Sequence, residues 1–151
     1  MPADETNLQI NFTVRQRINR PAAEVFQAVF DPGKLCRYFT ETADGPPIAG
    51  QVVHWTWASG DEADVHVLEL EMNEKLVCSW QGWQVEQATT WTMILEPLDG
   101  GATRLSVHET GWRSDQRGLE SSYAHCYGWT HMLLCLKAFL EHGVDLRDGQ
   151  R

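Results

Sequence analysis

Apolar and polar residues alternate from Leu8 to Arg17, with Leu8, Ile10, Phe12 and Val14 sharing one face, which is the period of a half-buried strand. The period changes in INRPAAEVFQAVF, where Pro21 suits a first helical turn and Val25, Phe26, Val29 and Phe30 recur at helical spacing. Asp31 and Pro32 then read as the cap and first position of a second short helix carrying Leu35, Tyr38 and Phe39. Beyond the glycine and proline punctuation of ADGPPIAG come QVVHWTW, EADVHVLELEM, KLVCSWQGW, ATTWTMILEP and ATRLSVHET, all short and rich in β-branched or aromatic residues. The links ASGD, NE, QVEQ and LDGG are turn-like, and Asp99-Gly100 is a hairpin signal, so these segments predict an antiparallel meander. From about Asp115 the period is helical again. Leu119, Tyr123, Cys126, Trp129, Leu133, Leu136 and Leu140 make one continuous stripe, and Gly143 stops the helix.

The order is therefore strand, two short helices, some five or six strands, one long helix. A sheet with one apolar face must cover it, and the terminal helix is the only element long enough to do so. The fold class is α+β: a curved antiparallel sheet of about six or seven strands over a long C-terminal helix, with two short helices after strand one. No repeat, low-complexity tract or linker divides the chain, which predicts one domain over residues 1–151. The space between sheet and helix is the expected site. The stripe is varied at Leu119, Tyr123, Cys126 and Trp129 and aliphatic at Leu133, Leu136 and Leu140, so its first half is expected to border that space.

Composition adds three points. The chain has seven Trp, and Trp55, Trp57, Trp80, Trp83 and Trp91 fall in the strand segments, where large aromatics suit either a core or the walls of a ligand cavity. Its net charge is −9, a field that repels a phosphate backbone and an anionic membrane alike, so nucleic acid is not an expected partner. The N-terminus has no basic region followed by an apolar run, and no segment is apolar enough to span a membrane. A cytoplasmic protein without membrane insertion is expected. Cys36, Cys78, Cys126 and Cys135 form no C-x-x-C pair and read as free thiols.

Six histidines raise the question of metal or acid–base chemistry. None is paired at H-x-x-x-H or H-E-x-x-H spacing, and neither a metal nor another cofactor is expected. In SVHETGW, His108 and Glu109 stand at a strand end near Trp112; strand neighbours point to opposite faces, so they form no dyad with each other, and one of them is set to face inward. An inward His108 would orient a ligand hydroxyl or act as a general base. His125 and Cys126 diverge by about 100° on a helix and form no nucleophile–base couple. GPPIAG and LDGGA lack a nucleotide-binding glycine pattern, and alternation sets Glu69 and Glu71 opposite Leu68 and Leu70, toward solvent.

Taken together, INRPAAEVFQAVFDPGKLCRYF, KLVCSW, ATRLSVHETGW and GWTHMLLCLKAFLEHG resemble, in order and spacing over nearly the whole chain, the START-like (SRPBCC) superfamily and within it the bacterial relatives of the heat-shock ATPase activator. The resemblance implies a helix-grip fold with a hydrophobic cavity used by different members for lipids, polyketides, hormones or other aromatic molecules. The activator proper has a further N-terminal domain for which 151 residues leave no room, so the expectation is a small apolar ligand rather than a chaperone partner. The expected ligand-binding residues are Trp55, Trp57, Trp80, Trp91, His108, Trp112, Tyr123, Cys126 and Trp129. The alternatives are a cyclase-, aromatase- or hydrolase-like enzyme acting through His108 or Tyr123, and a co-chaperone-like interaction module.

Overall fold

The computed structural model describes residues 8–81 and 87–147. Strand β1 (Phe12–Ile18) is followed by helices α1 (Ala22–Phe30) and α2 (Pro32–Leu35), and then by strands β2 (Thr42–Ala43), β3 (Val52–Thr56), β4 (Glu62–Glu71), β5 (Lys75–Gln81), β6 (Ala88–Leu98) and β7 (Ala102–Thr110). The long helix α3 (Gln116–His142) ends the described chain but for a short tail. All seven strands form one antiparallel sheet in the order β1-β7-β6-β5-β4-β3-β2, with the first strand closing against the last. The expected α+β architecture is the observed one. Trp83 and most of the QVEQ link lie outside the described residues.

Local chemistry explains the boundaries. Asp31 caps α2 by accepting a hydrogen bond from the Gly33 amide at 2.9 Å, with Pro32 at the first position as the sequence predicts. Gly100 and Gly101 turn β6 into β7 with φ of 80° and 76°, and Gly143 ends α3 in the left-handed region. Strand β1 is shorter than its alternating pattern: Leu8 is exposed and precedes the sheet. The two-residue β2 carries no sequence signal of its own and exists because Thr42 and Ala43 pair with Thr56 and Trp55.

Two further differences change which side chains face the helix. In β4, Val65 and Val67 face the core, so Leu68, of opposite parity, points outward and is 53% exposed; the bulge between Val67 and Glu69 then shifts the register and brings Leu70 back against the core. In α3 the buried face of the first half is Gly118, Ser121, Ser122 and Trp129 rather than the predicted Leu119, Tyr123, Cys126 and Trp129; the second half buries Met132, Leu133, Cys135 and Leu136. Small side chains take the inner face because the helix start lies tightly on the preceding loop. A Cβ added to Gly118 would lie 2.0 Å from the Arg113 carbonyl oxygen. Asp115, accepting from the Gly118 amide at 2.8 Å, holds this start, and that bond keeps its carboxyl below the usual range.

At its far end α3 is tied to the β1–α1 connection. Glu141 accepts from the Asn19 amide at 2.9 Å and from Lys137 Nζ at 2.7 Å, and Lys137 also donates to the Arg17 carbonyl. The Asn19 amide first, and Lys137 second, lower the Glu141 carboxyl to about 2. Helix α1 packs against β6, β7 and α3, and α2 against β2, so the short helices close one end of the sheet.

The two α3 glycines give opposite expectations. Gly118→Ala meets rigid backbone and should destabilise by about 1–3 kcal/mol or more, as overpacking does. Gly128 has open space around its Cβ position and should gain about 0.5–1 kcal/mol on change to Ala, the helix-propensity difference. Urea denaturation of both variants beside the parent measures the two signs.

Candidate functional site

The site is built on the last strand. In β7, Leu105, Val107 and Glu109 occupy successive inward positions, so strand parity carries a carboxylate into the space between sheet and helix, where it is 0% exposed. Register places Glu109 opposite Phe12 on one side and Trp91 on the other, while Trp80 of β5 stands opposite Thr89 of β6. A carboxylate in this position needs donors, because burying an unpaired charge is prohibitive. Four side chains supply them. Trp80 Nε1 and Thr89 Oγ1 donate to Oε2 at 3.0 and 2.7 Å, Trp129 Nε1 donates to Oε1 at 2.7 Å, and His125 Nδ1 lies 3.0–3.1 Å from both oxygens. His125 and Trp129 are four apart on α3 and so share a face. The imidazole stands edge-on to Trp80 and Trp112, with centroids 5.8 and 4.6 Å away.

Around this polar centre lies a continuous aromatic wall. Trp80 stacks on Trp129 at 5.4 Å, Trp91 meets Trp129 at 5.0 Å, Trp55 meets Trp91 at 6.0 Å, and Phe39 contacts Trp55, Trp57 and Trp129. The interval expected to hold a cavity is thus occupied by rings in mutual contact. Each edge-to-face or offset pair adds about 0.5–1.5 kcal/mol beyond area burial. The indoles differ in one respect. Among the described residues, the N–H groups of Trp55, Trp91 and Trp112 are buried without an acceptor, each at a cost of about 1–3 kcal/mol.

Of the residues singled out in the sequence, the structure brings together Trp55, Trp57, Trp80, Trp91 and Trp129. Trp112 stands apart, stacked on Phe12 and edge-on to His125. Three others are placed away from this interior. His108 projects from the opposite face of β7 and meets Thr13 Oγ1 at 2.8 Å; Tyr123 is 64% exposed; Cys126 is half-buried beside the inner face rather than on it. The cause for His108 is the strand parity that turns Glu109 inward. For Tyr123 and Cys126 it is the rotation of α3 imposed by Gly118, Ser121 and Ser122. Glu109, His125 and Phe39 belong to the site without having been singled out as binding residues. The signal for Glu109 was present, since Leu105 and Val107 fix the inward parity, and His125 follows from being one turn before Trp129.

A separate groove of about 570 Å³ lies on the other face of the sheet, lined by His54, Glu62, Asp64, His66, Ser79 and Gln81 among others. His54 Nδ1 lies 2.8 Å from Asp64, and this hydrogen bond, more than the surrounding carboxylates, raises the imidazole above its ordinary pKa. Among the described residues no three His, Cys, Asp or Glu side chains are grouped to hold a metal ion, and no helix is long and apolar enough to cross a membrane. All four cysteines are free, and burial pushes the thiols of Cys78 and Cys135 up, away from the nucleophilic thiolate.

Comparison with known proteins gives a family and a fold. The family model described as Activator of Hsp90 ATPase homolog 1-like protein matches residues 19–141. Among solved structures, protein SSP2350 from Staphylococcus saprophyticus is 22% identical with a TM-score of 0.77, the match covering 91% of this chain and 96% of that one. The Aha1 of Colwellia psychrerythraea, solved in solution as a dimer, is 21% identical with a TM-score of 0.72, covering 89% and 98%. DynU16, described from the dynemicin biosynthetic locus, is 23% identical with a TM-score of 0.78, covering 88% of this chain and 48% of its own. At these identities the likeness to the structures is one of fold. A comparison of the sequence with curated proteins finds no match.

The polar centre makes a direct expectation. Glu109→Gln keeps the shape of the side chain but turns an amide toward two indole donors and a hydroxyl, and should cost about 1–3 kcal/mol, the usual effect of leaving a buried donor unsatisfied. Urea denaturation followed by tryptophan emission measures it; a loss below about 1 kcal/mol would show that the centre contributes little.

Proposed function

The chain belongs to the Activator of Hsp90 ATPase homolog 1-like family, and from that premise we propose that it binds a small apolar, aromatic molecule between the curved sheet and α3. The wall for it is formed by Trp55, Trp57, Trp80, Trp91 and Trp129. The observation that carries this reading is the clustering of these indoles from three strands and the helix around one interval, with two of them held by their N–H groups on Glu109. The rings fill this interval in mutual contact, so a flat ligand enters by displacing some of them, and those fixed from behind on Glu109 then offer it rigid faces. Phe39 and the half-buried Trp57, which meet edge-on at 5.5 Å, stand at the rim and are the rings to give way on entry. Free thiols fit a cytoplasmic setting. An enzymatic reading through His108 or Tyr123 gains nothing from this geometry, since neither faces the interval.

N-phenyl-1-naphthylamine, a neutral aromatic dye, tests the proposal. Titration into folded protein should give a saturable change in both dye and tryptophan emission, weakened at least about tenfold, or about 1.4 kcal/mol, in Trp129→Leu. No saturable change, in protein shown to be folded by circular dichroism, would overturn it.

One observation favours a second reading, contact with another protein through the outer face of α3. Tyr123, Tyr127 and Leu134 are 64%, 73% and 45% exposed along one side of the helix, and Tyr127 stacks on His131. The dimeric Aha1 of Colwellia psychrerythraea makes self-association the form of this reading to test first. Sedimentation should then show a concentration-dependent dimer that Tyr127→Asp abolishes; monomers at every concentration would count against it.

A further inference from the structure

Within the aromatic wall, four fully or nearly buried indoles divide into two pairs. Trp80 and Trp129 donate to Glu109, an acceptor the chain itself supplies. Trp55 and Trp91, both 0% exposed, have no acceptor among the described residues. Their rings are neighbours, with centroids 6.0 Å apart and planes inclined by 31°. If packing alone selected these side chains, a phenyl ring would serve without carrying a donor out of water. Unpaired buried donors are uncommon enough to require a reason, and here two are carried by neighbouring rings in the interval proposed to take a ligand.

We infer that the N–H groups of Trp55 and Trp91 are the polar readout of that ligand, and that the ligand is a flat aromatic molecule carrying a neutral hydrogen-bond acceptor, a ketone or quinone oxygen. The inference rests on the ligand-binding reading above and deepens it. Other polar groups fit the interval less well. A carboxylate or phenolate would bring a second negative charge beside Glu109, which stands directly across the strands from Trp91. An ammonium would meet donors at Trp55 and Trp91, and the Glu109 oxygens that could hold it already face Trp80, Thr89, His125 and Trp129. A hydrocarbon would leave both N–H groups unpaired. A carbonyl has two acceptor directions and no charge, and so can accept from donors on two neighbouring rings.

The competing explanation is that each N–H rests on the face of a neighbouring ring. Trp55 stands at 85° to Trp57 and 84° to Trp80, an orientation that such a weak contact would use. Matched probes separate the two: fluorene against 9-fluorenone, and indane against 1-indanone, each pair sharing a ring system and differing in the carbonyl. Protein labelled with ¹⁵N at the indoles is titrated with each, and the indole N–H signals are assigned with Trp55→Phe and Trp91→Phe. The expected result is that each ketone binds at least about tenfold more tightly than its hydrocarbon, and that the Trp55 and Trp91 N–H protons move downfield with the ketones alone. In Trp91→Phe the preference should fall toward unity; should that variant not fold, the shifts in the parent protein decide. Equal affinities with no downfield movement overturn the carbonyl inference and leave the ligand reading intact. No saturable shift with either member of either pair overturns both.

Discussion

A carboxylate wholly removed from water is the constraint around which this protein is arranged. Glu109 cannot sit between sheet and helix unless donors converge on it, and the four that do come from β5, β6 and α3. Such a centre is a poor source of net stability, because much of what the hydrogen bonds return was spent on desolvation. Its effect is geometric. Two indoles are tied to the same carboxylate, and His125 and Trp129, one turn apart, reach it together from one face of α3. The stacked pair Trp80 and Trp129, and through them the rest of the aromatic wall, inherit their positions from this one side chain.

The small residues at the start of α3 serve the same end from the opposite side. Gly118 lies against the backbone of Arg113, and buried Ser121 and Ser122 keep the helix close to the strand end where Glu109 stands. A bulkier inner face there would lift His125 and Trp129 away from the carboxylate. The helix is thus specified at its first half by what is small and at its second half, through Met132, Leu133 and Leu136, by what is large and aliphatic.

This division explains what could be read in the sequence. Strands and turns were legible because alternation, glycine and proline act over a few residues: the DGG turn and the Asp31–Pro32 cap stand where their chemistry puts them. The second half of α3 was legible because leucines at helical spacing mark a buried face. The first half was not, since hydrophobic periodicity follows the large apolar residues and so chose Tyr123 and Cys126, while the buried face is made of glycine and serines. The tryptophans of the site could be named from their strands. Their common anchor could not be named from composition, because a glutamate is ordinarily placed in water; only the parity running from Leu105 through Val107 to Glu109 points inward.

The pairing of the first strand with the last has a consequence for the order in which the chain acquires its structure. From β3 to β7 each strand pairs with its immediate successor, so those contacts join residues separated by short turns and cost little chain entropy to close. Phe12 pairs with Glu109, across most of the polypeptide, and β1 can dock only on an edge that β7 has already formed. Long-range closure of this kind is slow relative to hairpin formation. Until it occurs, the β7 edge beside Glu109 is open to water; the carboxylate itself points to the face that α3 covers, so its desolvation waits on the docking of His125 and Trp129 and not on the closure of the sheet.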